Sequence, residues 1–390
     1  MRVCIIGGGL TGLSAAYALS KENEVVVYER GAELGGAAAS YEKNGFRIER
    51  FYHHFFAGDR ELEALLRELG LWEQVEFRSA SIGQMVGGRV YKMNTMLEIA
   101  RSFLSPLEIF RLGLLTMKAR FFEDASKLDG VGAVEWAKAN GGESVFKNFF
   151  APLLRGKFDE NMDRVSAAWL VSRIKIRSNR SPTGEKLAYL RGGFWKLVSA
   201  LEEKIVERGG MVVKGEAVEE VIVKGGVAAG VRVGGNEQAF DSVIVTSPGL
   251  MKKEWAPAGL RERFGSLDYQ CAVCVLMGLK EKLLDDVYWL NLSDPAPFGA
   301  VVEHTNYMPL GDYGGTHLVY LASYAQSKEA ASMRDSKKEV VERYLEGLKK
   351  LFPGFGKENV EWAEVFRDEY SGPVYSKGFF KKVPGYKTSV

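Results

Sequence analysis

Apolar positions along the chain follow two periods, and together they outline the fold. Val3–Ile6 and Val25–Tyr28 are unbroken apolar runs rich in β-branched residues, the pattern of strands buried on both faces. Between them Leu13–Leu19 carries small and apolar residues at helical spacing, so the opening reads strand, helix, strand. Met211–Val213, Ala217–Val223 and Val227–Val233, with Gly225-Gly226 between the last two, read as a β-meander; Phe240–Pro248 follows as another buried strand. Glu61–Leu69 has helical spacing with a stop at Gly70, and Trp195–Arg208 is an amphipathic helix closed by Gly209-Gly210. Pro106–Phe122 is a long apolar helix with Pro106 in its first turn. Asp129 is expected to cap the helix that carries Trp136, and Gly141-Gly142 to end it. Residues 57–190 read as mostly helical, residues 266–325 as strand-rich, and Val340–Leu351 as a helix.

Glycine placement adds chemistry to the first of these patterns. The first strand enters Gly7-Gly8-Gly9-Leu10-Thr11-Gly12, a G-x-G-x-x-G turn, and the second strand ends at Glu29-Arg30. Gly7 allows the tight turn, Gly9 a close approach of backbone to a pyrophosphate, and Gly12 the packing of helix on strand. The helix start then offers unpaired N–H groups and a positive dipole end to phosphate. Glu29 can accept hydrogen bonds from ribose hydroxyls and disfavours a 2′-phosphate. A second glycine pair, Gly35-Gly36, follows in Glu33-Leu-Gly-Gly-Ala37.

Composition narrows the rest. A net charge of +2 over 390 residues points to no nucleic-acid partner. Three cysteines are too few for a disulfide framework and fit a reducing, cytoplasmic setting. Cys271 and Cys274 lie in an apolar run and read as small strand residues; no second pair completes a metal site. No apolar stretch reaches the length of about 18 residues that spans a bilayer. The Pro106–Phe122 stripe reads as a core helix. The alternative is peripheral membrane contact with Arg111, Lys118 and Arg120 on its polar side. Arg173, Lys175, Arg177, Arg180, Lys186 and Arg191, opposed only by Glu185, form a basic stretch: a solvated face, or a wall for carboxylates or phosphates. Glu303 and His304 are candidates to line a substrate cavity, and the oligomeric state is left open.

The ordered blocks Gly7–Gly12, Glu29, Leu34-Gly35-Gly36, Tyr189-Leu-Arg-Gly-Gly-Phe194 and Phe240–Pro248 resemble the FAD-binding amine oxidase superfamily, which includes protoporphyrinogen oxidases and phytoene desaturases. The resemblance implies FAD, with Gly7, Gly9, Leu10, Thr11, Gly12, Glu29, Arg30, Gly35, Gly36, Ala37, Val218 and Ser247 around it, Val218 by backbone contact to adenine. It places Glu49–His53 near the flavin ring, where this chain has Arg50 to Tyr52 in place of two small residues. His53 and His54 become the candidate catalytic residues, and Arg177, Arg191, Glu303 and His304 the candidate substrate residues. The implied fold is α/β: a Rossmann-like, glutathione-reductase-like FAD domain from residues 1–56 and 189–265. A helical insert at 57–188 and strands with a helix at 266–390 make the substrate domain. The family's final strand would begin at Lys377–Gly385, and the closing strand and helix that the family sets against the flavin are expected to be missing, the chain being either truncated or able to bind FAD without that contact. The function implied is FAD-dependent oxidation of an apolar or amphiphilic small molecule, a porphyrinogen or isoprenoid before an amine. The alternatives are a non-redox flavin mutase acting on a sugar nucleotide and an inactive protein of this fold.

Overall fold

Arg2–Ile6 and Glu24–Glu29 are adjacent parallel strands joined by the helix Leu10–Leu19, in the computed structural model that describes residues 1–56, 58–177 and 186–385 apart from the Arg177 side chain. Met211–Lys214 pairs in parallel with the outer side of Glu24–Glu29, and Ser242–Val245 in parallel with the far side of Arg2–Ile6. Strand order therefore reverses at Arg2–Ile6. In such sheets the crevice that takes ligands opens beyond the carboxyl ends at the reversal. Cys4, Ile5, Val25 and Val27 are fully buried, as a sheet covered on both faces demands.

The meander Val218–Lys224, Val227–Val233 and Asn236–Ala239 packs Val221, Val231 and Val233 against Cys4, Ile6 and Val26. Gly225 and Gly226 turn its first hairpin at φ 62° and 83°, which side chains rarely adopt. The helices Leu10–Leu19 and Trp195–Glu207 pack on one another.

The chain divides into two compact units. The first holds Met1–Glu76, Ala188–Ser266 and the stretch from Val383; the second holds Phe77–Leu187 and Leu267–Lys382. The first boundary falls at residue 76 and not 56, because the helix Arg60–Glu68 is tied to the N-terminal helix. Tyr17 Oη donates to Glu68 Oε1 at 2.8 Å, and Lys21 pairs with the same oxygen.

The second unit is built on a seven-stranded sheet. Its order is Val360–Pro373, Tyr269–Leu279, His317–Ala325, Ala300–Glu303, Trp289–Leu292, Ile82–Val86 and Arg89–Lys92. Tyr269–Leu279 is buried from Gln270 onward; Cys271 and Cys274 are free thiols inside it, and burial pushes the Cys274 thiol up. The helix Lys337–Leu351 buries Val340, Tyr344 and Leu348 against this core, as its spacing predicts.

Several expectations are corrected. The described residues of 57–190 are mostly helical, as expected, but Ile82–Val86 is a strand that pairs in parallel with Trp289–Leu292 and turns at Gly87-Gly88 into Arg89–Lys92. The helix carrying Trp136 runs Ala133–Val145 with Gly132 at its cap. Asp129 instead accepts the Phe380 N–H at 3.1 Å. Gly142 ends the first helical stretch there, as expected, at φ 84° and ψ 165°, and a second stretch follows across the kink to Val145. Lys377–Gly385 begins no strand; Phe379–Lys382 is a short helix with Phe379 against the Tyr375 ring. In the basic stretch, Arg180, Glu185 and the Arg177 side chain lie outside the described residues.

The apolar helix runs Pro106–Met117 and continues through one π turn, Lys118–Phe122. It is not a core helix. Leu115 and Ala119 are buried, whereas Leu107, Phe110, Leu114, Met117, Phe121 and Phe122 are exposed.

Candidate functional site

The first unit's sheet delivers two glycine turns to the same place. Gly7 has φ 113°, and its N–H donates to Tyr28 O at 2.9 Å, which carries the ladder between the first two strands up to the turn. A Cβ on Gly12 would overlap Gly7 O, which makes glycine obligatory where the helix meets the turn. Gly35 N–H donates to Gly8 O at 2.8 Å, and a Cβ on Gly36 would stand 3.1 Å from Gly9 Cα. The two turns lie side by side, with Gly35 and Gly36 both at positive φ and Gly36 and Ala37 exposed.

The N-terminal helix starts at Gly9 with no side-chain cap and no acid in its first turn. Helix geometry leaves its first N–H groups, those of Leu10, Thr11 and Gly12, without intrahelical acceptors. With the aligned peptide dipoles they make an anion site of backbone alone. Glu29 stands at the mouth: Gly8 N–H donates to its Oε2 at 2.7 Å, and Gly31 N–H donates to its Oε1 at 2.8 Å. Each carboxylate oxygen keeps a lone pair for a further donor. Glu29 is half-buried and Arg30 exposed.

Val218 comes close by backbone pairing. Gly215 N–H donates to Gly31 O and Glu216 N–H to Glu29 O, which leads the chain past Glu29 into the meander; the Val218 side chain is buried. On the far side of the first strand, Thr246 reaches the turn where Ser247 was expected. Thr246 Oγ1 donates to Ile6 O at 2.9 Å, and a Cβ on Gly7 would overlap it; Ser247 is one residue further and half-buried.

Two participants escaped sequence reasoning, and a third was read only as the start of the Glu49–His53 segment. Gly8 is one: a Cβ there would meet Leu34 Cδ2 at 2.5 Å, and its N–H holds Glu29. Thr246 is the second. Glu49 is the third: it is buried, accepts the Tyr189 hydroxyl at 2.7 Å and the Phe194 N–H at 2.6 Å, and so joins the Glu49–His53 segment to the Tyr189–Phe194 block. By strand alternation it shares the side of exposed Arg47 in Phe46–Glu49, so no periodic signal announced its burial. His53 Nδ1 lies 2.7 Å from Phe51 O and its ring packs on Phe194; His54 packs on Phe56.

The described substrate candidates fall in both units. Arg191 belongs to the first unit, exposed and 3.6 Å from Glu76 Oε1. Glu303 and His304 belong to the second and are withdrawn into its core. Glu303 takes the N–H groups of Leu283 and Leu284, and His304 Nε2 lies 2.6 Å from Tyr313 Oη. A wholly enclosed carboxylate and imidazole serve the packing of the sheet and not a cavity wall. Among the described residues no group of three or more His, Cys, Asp or Glu is placed to hold a metal, and no helix is long and apolar enough to cross a membrane.

The comparisons agree with the cradle. Coproporphyrinogen III oxidase of Staphylococcus aureus is 23% identical over 330 residues, 73% of this chain and 69% of that one. 4,4'-Diapolycopen-4-al dehydrogenase of Metabacillus indicus is 27% identical over 295 residues, 66% of this chain and 59% of that one, so the match spans less than two thirds of the latter's length. The fold is shared with reduced UDP-galactopyranose mutase, at a TM-score of 0.72 and 18% identity, over 98% of this chain and 86% of the mutase. The cradle fits FAD. Its glycines leave room that any Cβ would fill, and Ser40 Oγ, just past the second glycine turn, is buried with no hydrogen-bond partner among the described residues. Residues 10–379 match the family model for flavin containing amine oxidoreductase, so the chain belongs to that family and its cofactor is FAD.

Proposed function

We propose that the chain dehydrogenates a largely apolar substrate of the porphyrinogen or isoprenoid class. The names of the two curated relatives support these classes, as does the family. The observation that carries the reading is the uncapped helix start flanked by Gly7–Gly12, Gly35-Gly36 and the open Glu29 carboxylate. FAD, when bound, supplies the acceptor for the hydride leaving the substrate.

The chain's own residues orient it. Gly7, Gly9, Leu10, Thr11 and Gly12 present backbone to the pyrophosphate, and Glu29 holds the ribose hydroxyls. Gly35, Gly36, Ala37, Arg30 and Ser247 border the same groove, and Val218 meets adenine by its backbone. His53 and His54 stand at the ring end, in a segment held by the Glu49 latch. Arg191 is the arginine of the first unit suited to a carboxylate or phosphate on the substrate.

Purified protein should show the two visible bands of oxidised flavin, and the colour should bleach anaerobically with a porphyrinogen or with an isoprenoid. A flavin-loaded sample that neither class bleaches overturns the substrate reading; a colourless protein that does not take up FAD overturns the cofactor residues.

A further inference from the structure

We infer that the exposed face of the Pro106–Phe122 helix docks on a lipid surface bearing anionic headgroups. Leu107, Phe110, Leu114, Met117 and Phe121 recur at helical spacing and stand on one side, about 20 Å from end to end. Exposure is deep: Phe110 is 63%, Phe121 66% and Phe122 79% accessible. The short helix Met96–Ala100 packs beside this one and exposes Met96 and Leu97. The opposite side is spoken for, since Leu115 and Ala119 sit in the core formed with Trp136, Phe146 and Leu170.

Charge selects the occupant. From Met96 to Phe122 the exposed charged residues are Arg101, Arg111, Lys118 and Arg120, all basic. The acids of the segment are turned away. Glu108 is buried; its Oε2 accepts from Ser105 N–H and Oγ–H and its Oε1 from Asn148, bonds that hold its pKa below the usual carboxylate value. Glu98 is half-buried in the capping box of Thr95. On the helical wheel Arg111 and Lys118 flank the apolar stripe on one side and Arg120 on the other. A second copy of the chain would set these bases against each other; an anionic bilayer meets the apolar stripe with hydrocarbon and the bases with phosphate. Just beyond the helix, half-buried Glu123 lies 3.3 Å from Lys118, and the first exposed acid is Asp124.

The test is flotation of the full, flavin-loaded chain with phosphatidylcholine vesicles, with and without phosphatidylglycerol. The chain should float with the anionic vesicles and detach as salt rises. A Phe110→Ser/Phe121→Ser variant should lose flotation on both vesicle types. Arg111→Gln/Lys118→Gln/Arg120→Gln should bind anionic vesicles about a hundredfold more weakly, at about fivefold per charge. Both variants change exposed side chains, so circular dichroism and flavin content should match the parent. Absence of flotation, or variants that float like the parent, overturns the inference. A concentration-dependent dimer that Phe110→Ser/Phe121→Ser dissolves, without flotation, overturns it in favour of a second copy.

Discussion

Glu29 and Glu303 make the same hydrogen bonds in opposite surroundings. Each carboxylate takes two backbone N–H groups: Gly8 and Gly31 for Glu29, Leu283 and Leu284 for Glu303. Glu29 does so while only half-buried, beside the glycine turn that holds Gly8. Glu303 is fully enclosed. Desolvation raises its pKa from 4.5 to about 7 although both N–H bonds act to lower it. Its neighbour His317, with Nδ1 3.6 Å from Oε1, is itself pushed down by burial and by Lys282, so it offers little compensating charge. A hydrogen-bond pattern does not distinguish a ligand site from a staple; access for a further partner does.

The largest effect expected from this contrast is on the glycine side of Glu29. Gly12→Val drives a branched side chain into Gly7 O, so the helix start should shift and the purified protein should carry no flavin. Retained flavin absorbance would mean that the cradle is not the cofactor's seat.

Next comes the pH dependence of stability. The folded pKa of Glu303 lies above the unfolded one, so between pH 4.5 and about 7 the folded state binds the extra proton. Stability should fall as pH rises through that window and level off above it, by about 3 kcal/mol from this group. Denaturant titrations at pH 5 and pH 8 measure the loss, and Glu303→Gln should remove most of it without altering FAD affinity. An altered FAD affinity in that variant would dissolve the distinction between the two glutamates.

Glu29→Ala should weaken FAD at least about tenfold, through the lost bonds to ribose, and lower stability by about 2 kcal/mol, through the stranded Gly8 and Gly31 N–H groups. Flavin titration and thermal unfolding read the two separately; a stability loss without an affinity loss would make Glu29 a staple like Glu303. The smallest effect belongs to Ser105, whose hydroxyl and Glu108 complete a capping box at the start of the apolar helix. Ser105→Ala should cost about 1 kcal/mol in thermal unfolding and leave flavin content unchanged.

The N-terminal strand, turn, helix and strand were legible because every contact that defines them is local: Gly7, Gly12 and the two apolar runs fall within a single βαβ-type unit. The same holds for the Gly225-Gly226 hairpin and the helix Lys337–Leu351. Ile82–Val86 was missed because its partner, Trp289–Leu292, is far away in the chain, and its own run is too short to declare a period. Asp129 was misread because a capping residue and a tertiary acceptor for Phe380 N–H look alike in one dimension.

Composition and spacing alone determined that a glycine-bounded helix start with an acid at the next strand's end exists here; the family and the cofactor came from the resemblance of the ordered blocks and from the family match. Only the tertiary structure decided which carboxylates reach solvent, that Gly35-Gly36 lies against Gly9, that Glu49 joins Tyr189 to Phe194, and that the apolar helix faces outward. The division is physical. Turn and helix geometry follow from backbone sterics over a few neighbouring residues, whereas burial is a property of everything that packs around a side chain, most of it distant in sequence.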